Sequence, residues 1–111
     1  MEGFYHEVLL RTDYMTILKL MWETRSDPIV SEILLKIFED NYFWYQKLSQ
    51  DIKTFEDPSV NWFHPYKFLE DGLTEKKLVE AVVNGFLNEL KLLILNGVDP
   101  SAKDNYVIRW V

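Results

Sequence analysis

Residues 81–105 read AVVNGFLNELKLLILNGVDPSAKDN, and this stretch decides the predicted fold. Its apolar residues recur at the three- and four-residue spacing that places side chains on one face of a helix. These residues are Leu87, Leu90, Leu93 and Ile94. Gly85 precedes the run, and Gly97 follows it, where a glycine can adopt the left-handed conformation that closes a helix. Because Pro100 then stops any continuation, the spacing predicts a helix–turn–helix that ends in a loop.

The same stretch closely resembles an ankyrin repeat. The matching residues are Leu78, Ala81, Val82, Gly85, Leu90, Leu93, Ile94, Gly97 and Val98. Lys76, Lys77 and Val79 stand where Thr-Pro and His usually open the first helix of such a repeat. The phrasing NGVDPSAKDNYVIRW is most similar to the ankyrin proteins of giant DNA viruses. The resemblance implies one repeat and the start of a second within residues 73–111, so the chain would be a short or truncated form.

The N-terminal residues 1–52 also predict short amphipathic helices. Asp13 can cap a helix from Tyr14 to Glu23, and Ser26 or Asp27 can cap another that begins at Pro28. The predicted apolar faces of these two helices are Tyr14, Ile17, Leu18, Met21 and Trp22, and then Ile29, Ile33, Leu34, Ile37 and Phe38. Shorter helices are predicted before and after them, so this region is expected to form a small all-α bundle.

Two segments of this region, EVLLRTDYMTILKL and IFEDNYFWYQKLSQDI, are similar to the F-box-like segment of giant-virus ankyrin proteins. F-box domains are three-helix modules that dock on the small adaptor subunit of a cullin–RING ubiquitin ligase. Phe4-Tyr5 replaces the Leu-Pro that usually opens an F-box. The resemblance implies an adaptor-binding face formed by Phe4, Val8, Leu9, Ile17 and Leu18. Without an adaptor, the same helices would simply close a bundle.

Residues 53–72 are predicted to be an aromatic-rich linker. Pro58 and Pro65 interrupt it, but its many aromatic side chains make it too apolar for a free tether. A short helix is expected near Tyr66 to Glu70, and Thr74 can cap the first helix of the repeat. The segments YFWYQ and NWFHPYKF can be either core or an exposed binding surface.

Composition excludes several classes of protein. Hydrophobic residues at 48% and aromatic residues at 15% are incompatible with a disordered chain. The net charge of −6 disfavours binding to nucleic acid and to anionic membranes. The chain contains no cysteine, shows no basic leader and has no apolar run near the ~20 residues that span a bilayer. We therefore expect a cytoplasmic protein, in the host cytoplasm if it is viral.

No catalytic, metal or cofactor site is predicted. His6-Glu7 lacks the second histidine four positions on that a zinc protease motif needs, so His6 is expected at a solvent-exposed helix N-terminus. His64 is expected in a loop, bonded to main chain. Neighbouring acids such as Glu39-Asp40 and Glu70-Asp71 do not face one another on a helix.

The sequence therefore predicts a protein–protein interaction module. In the leading hypothesis, the F-box-like segment recruits the ligase adaptor and the tip of the ankyrin repeat holds a target. The predicted tip residues are Asp99, Pro100, Lys103, Asp104 and Tyr106. The alternative is a truncated ankyrin scaffold that self-associates as a homodimer and has no ligase role. The predicted self-association residues are Leu92, Leu95, Ile108, Trp110 and Val111.

Overall fold

Helices account for all regular secondary structure in residues 2–99, the part of the chain that the computed structural model describes. Seven helices follow one another there: α1 Glu2–Leu10, α2 Tyr14–Glu23, α3 Pro28–Glu39, α4 Asn41–Ser49, α5 Phe63–Leu69, α6 Glu75–Asn84 and α7 Leu87–Leu95. The described residues contain no strand. The all-α prediction is confirmed for this part of the chain.

Side-chain caps fix where three of the helices begin. The Asp13 carboxylate accepts a bond from the Thr16 N–H at the start of α2, and the Thr74 hydroxyl accepts one from the Lys77 N–H at the start of α6. Asp27 accepts bonds from two N–H groups in the first turn of α3. These oxygens satisfy donors that have no partner within the helix. The predicted caps are therefore confirmed.

The chain divides into two compact units, Met1–Lys47 and Leu48–Val111. The boundary falls within α4, and residues 53–72, predicted as a linker, belong to the second unit and include α5.

Aromatic side chains dominate the core of the first unit. Phe43 and Trp44 of α4 are buried, and their rings meet edge to face at a centroid distance of 4.9 Å. The Trp44 indole N–H donates to the Phe38 carbonyl at 2.7 Å, so burial of this large ring leaves its donor satisfied. The aliphatic core residues of this unit are Leu9, Leu10, Ile17, Leu34 and Ile37. The YFWYQ segment thus contributes core at its centre, while Tyr42 is exposed.

The second unit is built around α7, which contacts both α5 and α6. Its buried apolar residues are Leu48, Val60, Trp62, Tyr66, Leu69, Leu78, Ala81, Leu92 and Leu93. Gly85 ends α6 with a φ of 72°, a left-handed conformation that side chains disfavour. There the Phe86 N–H donates to the Ala81 carbonyl at 2.8 Å, closing the turn into α7.

Asn96 fastens the end of α7 to the loop after α4. Its side-chain oxygen accepts the Lys53 N–H at 2.7 Å, and its amide donates to the Lys53 carbonyl at 2.9 Å. The amide also donates to the Leu92 carbonyl. An open depression of about 720 Å³ adjoins this contact, lined mainly by polar residues of the loop 49–54.

Four residues of the predicted apolar helix faces are exposed: Trp22, Ile29, Leu87 and Ile94. Trp22 lies in the last turn of α2 and Ile29 in the first turn of α3, so both flank the turn between these helices. Side chains at this corner are not covered by the core. Ile94 lies on the side of α7 opposite Leu92, which is fully buried.

Candidate functional site

An exposed apolar pair lies on α1. Phe4 and Val8 are four positions apart, so they lie on one face of the helix, and both are exposed. The rings of Phe4 and Tyr5 meet edge to face at 5.7 Å. We call Phe4 and Val8 the α1 stripe.

A buried lysine holds the end of this helix. The Lys47 ammonium donates to the carbonyls of Leu9 and Leu10 at 3.1 and 3.2 Å, and also to the carbonyl of Thr12. Two of these carbonyls belong to the last turn of α1, where a cation interacts favourably with the helix dipole. The Leu9 carbonyl also accepts the Thr12 N–H at 3.1 Å. The α1 stripe is therefore presented by a helix with a fixed C-terminus.

A second apolar stripe lies on α2. Met15 and Trp22 are exposed, and Leu18 between them is half-buried. Their spacing of three and four places them on one face, which we call the α2 stripe. Thr16 donates both its hydroxyl and its N–H to Asp13, and these bonds hold the pKa of the Asp13 carboxyl below its ordinary value. The helix that carries the stripe is thus anchored at its start.

Trp22 ends the α2 stripe and is paired with a cation. Its side chain is 66% exposed, and the Arg25 guanidinium carbon lies 3.8 Å from the centre of a Trp22 ring. Arg25 also donates a hydrogen bond to the Trp22 carbonyl at 2.6 Å, so both this bond and the ring contact hold the guanidinium over Trp22. Trp and Arg are the residues most enriched among those that dominate binding energy at interfaces.

The structure divides the predicted adaptor face. Phe4 and Val8 are exposed, and Leu18 is half-buried. Leu9 and Ile17 are each only 1% exposed, so they belong to the core and cannot contact a partner in this conformation. A periodic apolar run alone does not reveal which of two adjacent apolar positions faces the core.

The predicted C-terminal sites are described only in part. Asp99 of the repeat tip is exposed, whereas Pro100, Lys103, Asp104 and Tyr106 lie outside the described residues. Of the predicted self-association residues, Leu95 is exposed and Leu92 is fully buried, so Leu92 is corrected to a core residue. Ile108, Trp110 and Val111 lie outside the described residues.

A histidine–carboxylate contact joins α5 to α7. His64 Nδ1 lies 3.0 Å from Glu89 Oε1, and the Glu89 side chain is only 5% exposed. The His64 ring also meets Phe86 edge to face at 4.7 Å. His64 therefore lies in a helix and contacts a side chain, contrary to the loop and main-chain contact expected from the sequence.

Neighbouring contacts fix the connection between α5 and α6. The Lys77 ammonium donates to the Phe68 carbonyl and to the Asp71 carboxylate. It also lies 5.2 Å from the centre of the Phe68 ring. The bond from Lys77 lowers the pKa of the Asp71 carboxyl.

His64 and Glu89 resemble the oriented half of a general-base pair, but no nucleophile is bonded to His64 within residues 2–99. The same described range contains no group of three histidine, aspartate or glutamate side chains that could hold a metal ion.

His6 is half-buried, hydrogen-bonded to Gln46 at 2.9 Å and packed on Phe43. The prediction that His6 is exposed to solvent is therefore wrong.

Sequence patterns missed several residues that shape these surfaces. Lys47 and Glu89 are buried because distant parts of the chain supply their partners, and spacing cannot reveal such partners. The contact between Arg25 and Trp22 could have been predicted from the sequence, because a spacing of three brings side chains together at a helix end.

No helix among the described residues is long and apolar enough to cross a membrane.

The comparisons identify no relative. No protein-family model matches the chain, and neither the curated proteins nor the solved structures include a significant match.

Proposed function

We propose that this chain is a non-catalytic protein–protein interaction module whose N-terminal helices bind a protein partner. The observation that carries the proposal is the exposed Trp22 with Arg25 fixed over its ring, at the end of the α2 stripe. An exposed tryptophan forfeits much of the free energy that its burial would contribute, so its place on the surface favours a binding role. The α1 stripe supplies a second apolar contact.

The partner that the F-box-like resemblance suggests is the adaptor subunit of a host cullin–RING ubiquitin ligase. In this proposal, Phe4, Val8 and Leu18 of the expected face contact the adaptor, together with Met15 and Trp22. Leu9 and Ile17 support the face from the core. The α6–α7 pair, with its ankyrin-like residues, then presents a target through a tip that begins at Asp99.

Titration calorimetry with the purified adaptor subunit tests this proposal. We expect Val8→Asp and Trp22→Asp each to weaken binding at least about tenfold, because a buried carboxylate without a partner is costly at an interface. Leu35→Asp is the matched control, since Leu35 is also exposed but lies on α3, outside both stripes. Absence of binding by the wild type at about 100 µM adaptor would contradict the ligase role.

A second candidate function is a self-associating scaffold without a ligase role. It is favoured by one observation in the other unit: α7 exposes Leu87, Ile94 and Leu95. Exposed apolar residues clustered on one element often mark an interface.

A further inference from the structure

The distribution of polar and apolar side chains on α7 is inverted at four positions. Glu89 is 4% exposed, whereas Leu87 is 67% exposed and Ile94 and Leu95 are each 45% exposed. A charged side chain thus lies inside while three large aliphatic side chains lie outside. In a helix that simply covers a core, the opposite distribution is expected.

The buried side of this inversion is compensated within the chain. Glu89 lies in the first turn of α7, where the helix dipole favours a negative charge, and it contacts His64 at 3.0 Å. The exposed side has no such compensation among the described residues. Leu87, Ile94 and Leu95 gain nothing from contact with water, so a covering surface would stabilise them.

The exposed side of α7 also lacks a carboxylate, because Glu89 is the only acid in the helix and it is buried. Lys91 lies between the exposed leucines, but its ammonium is directed to other residues of its own unit. It lies 5.8 Å from the centre of the Phe55 ring. It also contributes, after the stronger effect of Ser59, to the lowered pKa of Asp57. The aliphatic stem of Lys91 is therefore what adjoins the leucines.

We infer that this outer face of α7, formed by Leu87, Lys91, Ile94 and Leu95, packs against the same face of a second copy of the chain. Lys91 is the central residue of Leu87–Leu95. An antiparallel two-fold arrangement through Lys91 therefore brings Leu87 against the partner's Leu95, and the apolar ends of each helix match. This face has no carboxylate, so it adds no acid–acid repulsion between two chains that each carry a net charge of −6. The two Lys91 ammonium groups need not meet at the axis, because each is directed to Phe55 and Asp57 of its own chain.

The area of this face sets the expected strength of the dimer. A helix of nine residues presents less than the roughly 800 Å² per partner of a standard stable interface. We expect a dissociation constant on the order of 100 µM, because a few buried leucines only modestly exceed the cost of association. This inference rests on the second candidate function, self-association, for which it names the contact surface. It does not depend on adaptor binding by α1 and α2.

Sedimentation velocity from about 10 µM to about 1 mM tests the inference with the full chain. The wild type should pass from monomer to dimer, and Ile94→Glu should weaken the dimer at least about tenfold. Ile29→Glu is the matched control, because Ile29 is 66% exposed but lies on α3, and it should leave the dimer unchanged. Far-ultraviolet circular dichroism of each variant verifies that its helices are retained.

A second measurement locates the symmetry axis. The chain contains no cysteine, so Lys91→Cys introduces a single thiol that lies next to its own copy only if the axis passes through this position. Mild oxidation should give a covalent dimer several times faster than with Lys36→Cys, an exposed position on α3. A wild type that stays monomeric at about 1 mM, or equal cross-linking at the two positions, overturns the inference. Loss of the dimer in Ile29→Glu but not in Ile94→Glu also overturns it.

Discussion

Replacement of Lys47 by methionine tests the most unusual interaction in the first unit. Methionine matches the length of lysine but donates no hydrogen bond, so Lys47→Met leaves the carbonyls of Leu9, Leu10 and Thr12 without this donor. Three charge-assisted bonds at about 1.5 kcal/mol each correspond to about 4–5 kcal/mol. Removal of a buried ammonium offsets part of this loss, because taking the charge out of water is itself unfavourable. The expected net destabilisation is about 2–3 kcal/mol.

Urea unfolding provides the assay. At about 1–1.5 kcal/mol per molar urea, this loss corresponds to a midpoint lower by about 2 M. The indole N–H resonance of Trp44 reports on the first unit, because that group is buried and bonded to Phe38. Lys36→Met is the matched control, since Lys36 is exposed and its pairing with Glu32 at 3.7 Å contributes less than about 0.5 kcal/mol. If both variants unfold at the same urea concentration, the proposed role of Lys47 is wrong.

Three further substitutions, the first with a control, test local features of the fold. Gly85→Ala should destabilise the second unit by about 1–2 kcal/mol, because the φ of 72° at Gly85 disfavours a side chain. Gly3→Ala in α1 is the control and should be neutral or stabilising. Thermal unfolding measures both variants. Asp13→Asn should retain the helix cap but remove its acid sensitivity. The pKa of Asp13 is lowered by the bonds from Thr16, so its contribution is present above the ordinary value of 3.8 and is lost as pH falls through the lower folded-state pKa. Urea midpoints at pH 6 and pH 2.5 should therefore differ less for this variant than for the wild type, and an equal acid response would contradict the assignment. Asn96→Ala should lower the free energy of unfolding by about 1–2 kcal/mol and speed hydrogen exchange of the Lys53 N–H, which loses its acceptor. Unchanged exchange at Lys53 would refute this role of Asn96.

Several helix boundaries could be predicted from the sequence because their causes are local, whereas α5 begins at Phe63, three residues before the expected Tyr66. Asp13, Asp27 and Thr74 act through caps, and Gly97 acts through the predicted left-handed conformation, with a φ of 92°. Such effects leave a signature in the chain that does not require knowledge of the tertiary fold.

Burial was harder to predict because it depends on neighbours from elsewhere in the chain. Leu9 and Val8 are adjacent and equally apolar, yet one is core and the other is exposed. Glu89 is polar by type but buried, because His64, 25 residues earlier, approaches it. The candidate surfaces could be predicted as apolar helix faces, but their exposed members became identifiable only from the packing.

The Lys47 bonds also constrain the order of events during synthesis. They join residues between 35 and 38 positions apart, so the end of α1 cannot be secured until α4 has been translated. Helices α6 and α7 differ, because the bond from Phe86 to Ala81 closes their turn between near neighbours. Short-range closure loses less chain entropy and forms sooner. A ribosome adds about 5–20 residues per second, so the apolar side chains of α1 remain accessible to chaperones for about 2–8 seconds before α4 can pack on them.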